Sequence, residues 1–171
     1  QPGGIARAPD GSFYVADTEN HTIRRVTPTG EVSTFAGTAG QRGSTDATGA
    51  AARFNRPLHL TVDPAGNLWV ASLSADQVWR FDAASLAAGG ALTPSLKLGV
   101  FARDVMGDTS RFTPSWLAFD ANGDLWANDF GANTFYRVPK ADLAGTGEQT
   151  VQPAVRVVVS VLAVLEGFFF D

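Results

Sequence analysis

Apolar and polar residues follow one spacing three times along the chain. Each copy opens on a short apolar run, over residues 5–8, 60–62 and 117–119. A polar turn follows, built around Gly11, Gly66 and Gly123. Second apolar runs lie at 13–16, 68–71 and 125–127, and third runs at 22–26, 77–81 and 134–138. A fourth closes each copy at 32–36, 97–102 and 154–160. Runs of this length between Gly, Pro, Asn and Asp clusters predict strands. The Asp10-Gly11 and Asn122-Gly123 pairs predict tight hairpins, because both residue types tolerate positive φ. Tyr14, Trp69 and Trp126 fall at one position of the repeat, and Arg25, Arg80 and Arg137 at another, with offsets of 55 and 57 residues. A period of this size marks a repeat architecture.

Four antiparallel strands repeated in sequence make propeller blades. The fold class expected is therefore all-β, a single partial β-propeller domain over residues 1–171. Blade one covers 3–37, blade two 56–102 and blade three 113–160. Leu165-Glu-Gly-Phe-Phe-Phe-Asp171 matches the start of unit three at an offset of 51, so 165–171 reads as the first strand of a fourth blade. Propellers close with about four to eight blades. Three blades are then half of a six-bladed ring, completed by the rest of a longer chain or by a homodimer. The turn at 27–30 is short, whereas 82–95 and 139–153 are long loops with helical turns at 83–88 and 141–144. Loops 37–55 and 103–113 join the units. Tyr14, Trp69 and Trp126 should fill the core between blades, and the three repeated arginines should donate hydrogen bonds at blade edges.

Composition agrees with this picture. The chain is 44% hydrophobic but only 18% charged, and it holds 18 Gly and 9 Pro, which favours an all-β domain over a helical one. Net charge is −4, divided as +1 over residues 1–60 and −5 over 61–171. Such an acidic balance argues against nucleic acid as a partner. Arg24, Arg25, Arg42, Arg53 and Arg56 read as ordinary solvated arginines. The absence of Cys excludes disulfides, thiolate metal sites and Cys catalysis. It also suits an exported protein, so an extracellular or periplasmic location is expected. Gln1 opens the chain without a charged-then-apolar leader, the mark of a processed product or a fragment. The apolar stretch 155–170 is broken by Arg156 and Glu166 and falls short of the ~20 residues of a membrane span. Within it, 157–165 is rich in β-branched residues and reads as a buried strand.

The stretch Val15-Ala-Asp-Thr-Glu-Asn-His-Thr-Ile-Arg-Arg-Val26 resembles the NHL repeat, as does Phe35-Ala-Gly-Thr-Ala-Gly-Gln-Arg-Gly-Ser-Thr-Asp46 running on through Ala51-Ala-Arg-Phe-Asn-Arg-Pro57. This likeness is specific over residues 3–70. Units two and three are similar to the six-bladed propellers of the gluconolactonase (regucalcin-like) and virginiamycin B lyase groups. The resemblance implies a β-propeller throughout. NHL proteins are mostly binding scaffolds, and the other two groups contain metal-dependent enzymes. The chain departs from the NHL pattern at its Pro-x-Gly motif, where His59 and Trp116 replace the Gly in units two and three.

Propeller topology implied by the resemblance gathers Asp17, Glu19, Asn20, His21, Ser72, Asp76, Asp129 and Asn133 on the face of the inter-blade loops. Asp17 and Asp129 are candidate ligand-binding or calcium-binding carboxylates, since calcium takes several oxygen ligands. Alternatively each caps its own turn by accepting backbone N–H bonds. His59 is a candidate for acid/base catalysis. Trp116 could stack a sugar or other planar ligand. Packing between blades is the competing role for both, and His21 reads as structural. Gly37, Gly40 and Gly43 lack the Lys-Ser/Thr of a phosphate loop, and no Gly-x-Ser-x-Gly motif or His-x-x-x-His pair is present. The function expected is a noncatalytic scaffold for a protein, small-molecule or carbohydrate ligand, requiring no cofactor. The alternative is a calcium-dependent lactonase or lyase.

Overall fold

The computed structural model describes residues 2–43, 54–72, 76–88, 93–99, 112–151 and 153–158. The expected fourth-blade strand at 165–171 and most of loops 37–55 and 103–113 lie outside them. The architecture is all-β, three sheets side by side forming part of a propeller. Strands β1 (Pro2–Arg7), β2 (Phe13–Asp17), β3 (Thr22–Val26) and β4 (Val32–Ala36) pair in sequence order as the first sheet. The second sheet orders β5 (Pro57–Val62), β6 (Leu68–Ser72), β7 (Gln77–Phe81) and β8 (Leu96–Gly99), with helix α1 (Ala83–Ala88) between its last two strands. In the third, β9 (Pro114–Phe119), β10 (Leu125–Asp129) and β11 (Thr134–Val138) are followed by β12 (Gly147–Thr150) and β13 (Val155–Val158). Only β13 of these last two stays in the third sheet, paired with β11.

The repeated turn chemistry is visible atom by atom. The amides of Ala8, Asp63 and Asp120 donate to the carbonyls of Ser12, Asn67 and Asp124, at 2.8, 3.0 and 3.1 Å. Gly11, Gly66 and Gly123 sit inside these turns at φ of 83°, 87° and 83°, a region that a Cβ makes costly. The second turn of each blade repeats too. His21, Asp76 and Asn133 occupy equivalent places at φ of 59°, 54° and 48°. A left-handed conformation three times over, at residues with polar side chains, is a property of the turn and not of one side chain.

Blade two is the centre of the molecule. Alternate side chains of a strand face opposite ways. Leu68 and Val70 therefore pack with Tyr14, Ala16 and Ile23 of blade one, while Trp69 and Ala71 pack with Leu117, Leu125 and Ala127 of blade three. All five residues of β6 are buried, which is why its sequence shows a continuous apolar run. Trp69 also donates through Nε1 to Asp63 at 2.9 Å and meets Phe119 edge-on. Trp126 makes the equivalent bond to Asp120 at 3.1 Å. It is only half-buried; Tyr14 and Trp69 are each 1% exposed and fill the core as expected.

Two further expectations change. Blade two has five strands, not four, because β12 leaves the long loop of blade three and pairs in parallel with β8. Arg80 anchors this crossing. Its guanidinium donates to the carbonyls of Leu143 at 2.6 Å and Gly145 at 3.1 Å, lies 5.7 Å from the Trp69 ring centroid, and pairs with Asp82. Val157 and Val158, expected in a buried strand, are 43% and 62% exposed. They lie on β13, an outermost strand without a described neighbour beyond it; the rest of 157–165 falls outside the described residues.

Candidate functional site

The innermost strands β1, β5 and β9 stand next to one another, and each carries an irregularity at the same place. Pro2 pairs with Asp17, Pro57 with Ser72 and Pro114 with Asp129, and the register shifts immediately afterwards. An extra residue at such a point bends the strand and re-aims a side chain. The residues at this point are Gly4, His59 and Trp116, equivalent positions of the repeat. They form a stair. A Cβ on Gly4 would stand 3.0 Å from the His59 Cα, so blade one needs glycine for the His59 backbone to approach. The His59 ring in turn lies 5.9 Å from the Trp116 ring, and Trp116 meets Phe135 edge-on at 6.2 Å. Trp116 keeps 39% of its surface exposed.

His59 is tied to the backbone. Its Nδ1 accepts the amide N–H of Leu117 at 3.3 Å. Burial holds its pKa below the ordinary 6.5. The neutral ring with Nδ1 accepting carries its proton on Nε2, which suits a hydrogen-bond donor to a ligand. Trp116 is fixed from behind by Asn128, whose Oδ1 accepts from the amides of Trp116 at 2.6 Å and Ser115 at 3.1 Å and from the Ser115 hydroxyl at 2.9 Å. Neither Asn128 nor Phe135 was among the expected site residues. Asn128 stands where blades one and two have Ala16 and Ala71, and that departure from the repeat was the available signal.

The carboxylates act differently from a converging ligand set. Asp129 is buried, and its Oδ1 accepts from the hydroxyl of Thr113 at 2.7 Å and from the amides of Thr113, Gly131 and Ala132 at 3.2, 3.1 and 3.3 Å. It closes its own turn and ties the preceding inter-blade loop to it. Asp17 accepts from Asn20 Nδ2 at 2.8 Å within the 3₁₀ turn Thr18–Asn20. Ser72, the third equivalent, is fully buried, and its hydroxyl has no partner among the described residues. His21 Nδ1 accepts the Arg56 amide at 3.2 Å, which fastens the residue before β5 to the turn. Among the described residues no group of three or more His, Cys, Asp or Glu is placed to hold a metal ion. At the other end of the inner strands, Arg7, Val62 and Phe119 line a shallow groove with Asp63 and Asp120. The Trp126 indole N–H and nearby amides hold the Asp120 carboxyl below its usual pKa.

A model of the NHL repeat matches residues 1–26. A catalytically inactive virginiamycin B lyase from Staphylococcus aureus, solved with quinupristin, is similar at 19% identity and a TM-score of 0.56, over 81% of this chain and 38% of that one. Hydrazine synthase of Kuenenia stuttgartiensis is similar at 18% identity and a TM-score of 0.59, over 93% of this chain and 36% of that one. A protein of unknown function from Bacteroides thetaiotaomicron shares 26% identity at a TM-score of 0.52, over 69% of this chain and 30% of that one. No curated protein sequence matches. The chain thus spans less than two fifths of the length of these solved structures. Identity at this level carries the fold, and together these findings identify the chain as a partial β-propeller related in fold to virginiamycin B lyase, with an NHL repeat in its first blade.

Proposed function

We propose that this propeller is a binding scaffold whose ligand docks at the mouth formed by His59 and Trp116. One observation carries the reading: an exposed indole, braced by Asn128 and flanked by His59 and Phe135, stands at the innermost strand beside acidic groups that are already engaged in closing turns. An indole face with an adjacent imidazole N–H suits a planar or carbohydrate ligand, or an aromatic side chain of a protein. Intrinsic fluorescence, titrated with soluble oligosaccharides and with aromatic peptides, tests the proposal. A ligand that shifts the emission should lose at least about tenfold in affinity with Trp116→Ala, equivalent to ~1.4 kcal/mol. Binding that survives Trp116→Ala unchanged would exclude this mouth.

A calcium-dependent lactonase or lyase is the second reading, favoured by the half-buried neutral His59 at the same mouth. Its own test is direct. Millimolar calcium should raise the melting temperature, and glucono-δ-lactone should be turned over in a His59-dependent way. A flat calorimetric titration with no turnover removes its support.

A further inference from the structure

Arg7, Val62 and Phe119 occupy one position of the repeat, at the ends of the inner strands away from His59 and Trp116. The groove they line has a volume of about 530 Å³ and crosses all three blades. Blade one departs from the repeat twice at this place. It carries a cation, Arg7, where the other blades carry apolar side chains, and Ala8 where they carry Asp63 and Asp120. Blade one closes its turn with Asp10 instead, which accepts the Ser12 amide at 2.9 Å and pairs with Arg25. Arg7 is exposed, and its guanidinium makes no hydrogen bond or ion pair among the described residues. It reaches the Gly11 turn, with Nη2 4.0 Å from where a Cβ on that glycine would stand. The two acids of the groove are engaged in their own turns. Asp63 accepts the amides of Ala65 and Asn67 and the Trp69 indole N–H, all at 2.9 Å. Asp120 accepts the amides of Asn122 at 2.9 Å and Asp124 at 3.1 Å, and the Trp126 indole N–H. One unpaired cation therefore stands beside an apolar floor.

We propose that this groove binds a small aromatic monocarboxylate, with Arg7 holding the carboxylate and Val62 and Phe119 supporting the ring. The planar guanidinium fork matches a carboxylate through two parallel N–H donors. A flat ring suits a shallow, open floor, where half-buried Phe119 and the rings of Pro9 and Pro64 offer apolar faces. The Pro9 ring lies 3.4 Å from where a Cβ on Gly66 would stand, so the floor is continuous from blade one to blade two. Asp63 and Asp120 limit the charge of the ligand. Two carboxyl groups and one cation line the groove, so a dianion such as a phosphate monoester meets repulsion that a single carboxylate at the Arg7 end avoids. The groove stands independently of any ligand at the His59–Trp116 mouth.

Calorimetric titration of the full chain with naphthoate tests this, with naphthalenemethanol and naphthyl phosphate as its neutral and dianionic counterparts. Naphthoate should bind with a millimolar or lower dissociation constant, and about tenfold or more tighter than either counterpart. Arg7→Gln should weaken naphthoate by about the same factor. Arg7→Glu should abolish its binding, and Arg7→Lys should retain part of it. Because Arg7 is exposed and unpaired, far-UV circular dichroism of these variants should match that of the parent chain. Trp116→Ala should leave naphthoate binding unchanged, which separates this groove from the mouth. The proposal is overturned by a flat naphthoate titration at millimolar concentration, by equal binding of either counterpart, by binding that survives both Arg7→Gln and Arg7→Glu, or by its loss with Trp116→Ala.

Discussion

Arg25 and Arg80 occupy one position of the repeat but should differ widely in energetic weight. Arg25 pairs with Asp10 at 2.9 Å, with side chains 29% and 53% exposed. An exposed ion pair of this kind contributes about 0.2–1 kcal/mol, so Arg25→Ala should cost no more than that. Arg80 is 8% exposed, donates to two carbonyls of the blade-three loop and lies against the Trp69 ring. Its removal leaves the Leu143 and Gly145 carbonyls and the Asp82 carboxylate without their cation. Orphaned buried acceptors cost ~1–3 kcal/mol each, whereas the Asp82 side chain, 42% exposed, is re-solvated at little cost. Arg80→Ala is therefore expected to lose about 2–5 kcal/mol, a large share of the ~5–15 kcal/mol of an ordinary domain. Urea unfolding followed by far-UV circular dichroism gives both numbers, provided the slopes agree. Hydrogen exchange adds a local readout, because the β12 amides should lose protection in Arg80→Ala before those of β1–β3 do. The reasoning fails if the two variants differ by less than about 0.5 kcal/mol, or if β12 keeps its wild-type protection.

Three further outcomes are expected. Trp69→Ala, at a side chain 1% exposed between two blades, should cost ~3–5 kcal/mol by calorimetry or urea unfolding. Stability should fall as the pH drops below 6.5, the ordinary His value: the pKa of His59 is lower in the folded state, so the unfolded chain binds the proton more readily. That contribution is fully present above 6.5 and is lost as the pH falls towards the folded pKa; His59→Gln should flatten the melting-temperature profile between pH 7 and 5. Asn133 at φ 48° should tolerate Gly, whereas Asn133→Ala should cost about 1–2 kcal/mol in urea unfolding.

How much was legible in the sequence can be judged element by element. Third strands and helical turn 83–88 appear where the apolar spacing and composition placed them, because both are local properties. Strand β12 was invisible. Gly147-Glu-Gln-Thr150 has no apolar alternation, and it becomes a strand only because the free edge of β8 and the Arg80 guanidinium receive it. Of the candidate residues, His59 and Trp116 are brought side by side, whereas Asp17 and Asp129 each serve a local turn. Sequence position alone could not separate these roles, since a carboxylate at a strand end serves a turn or a cation with the same atoms.

The sequence by itself determined the repeat, the blade and its turns, since a period of two along strands and positive-φ residues at fixed offsets are properties of the local chain. Only the tertiary structure decided which equivalent residues matter differently. Tyr14 and Trp126 share a repeat position, as do Arg25 and Arg80, yet their burial is set by which blade stands beside them. A repeat specifies the same half-junction each time; the energy of that half-junction depends on what is packed against it.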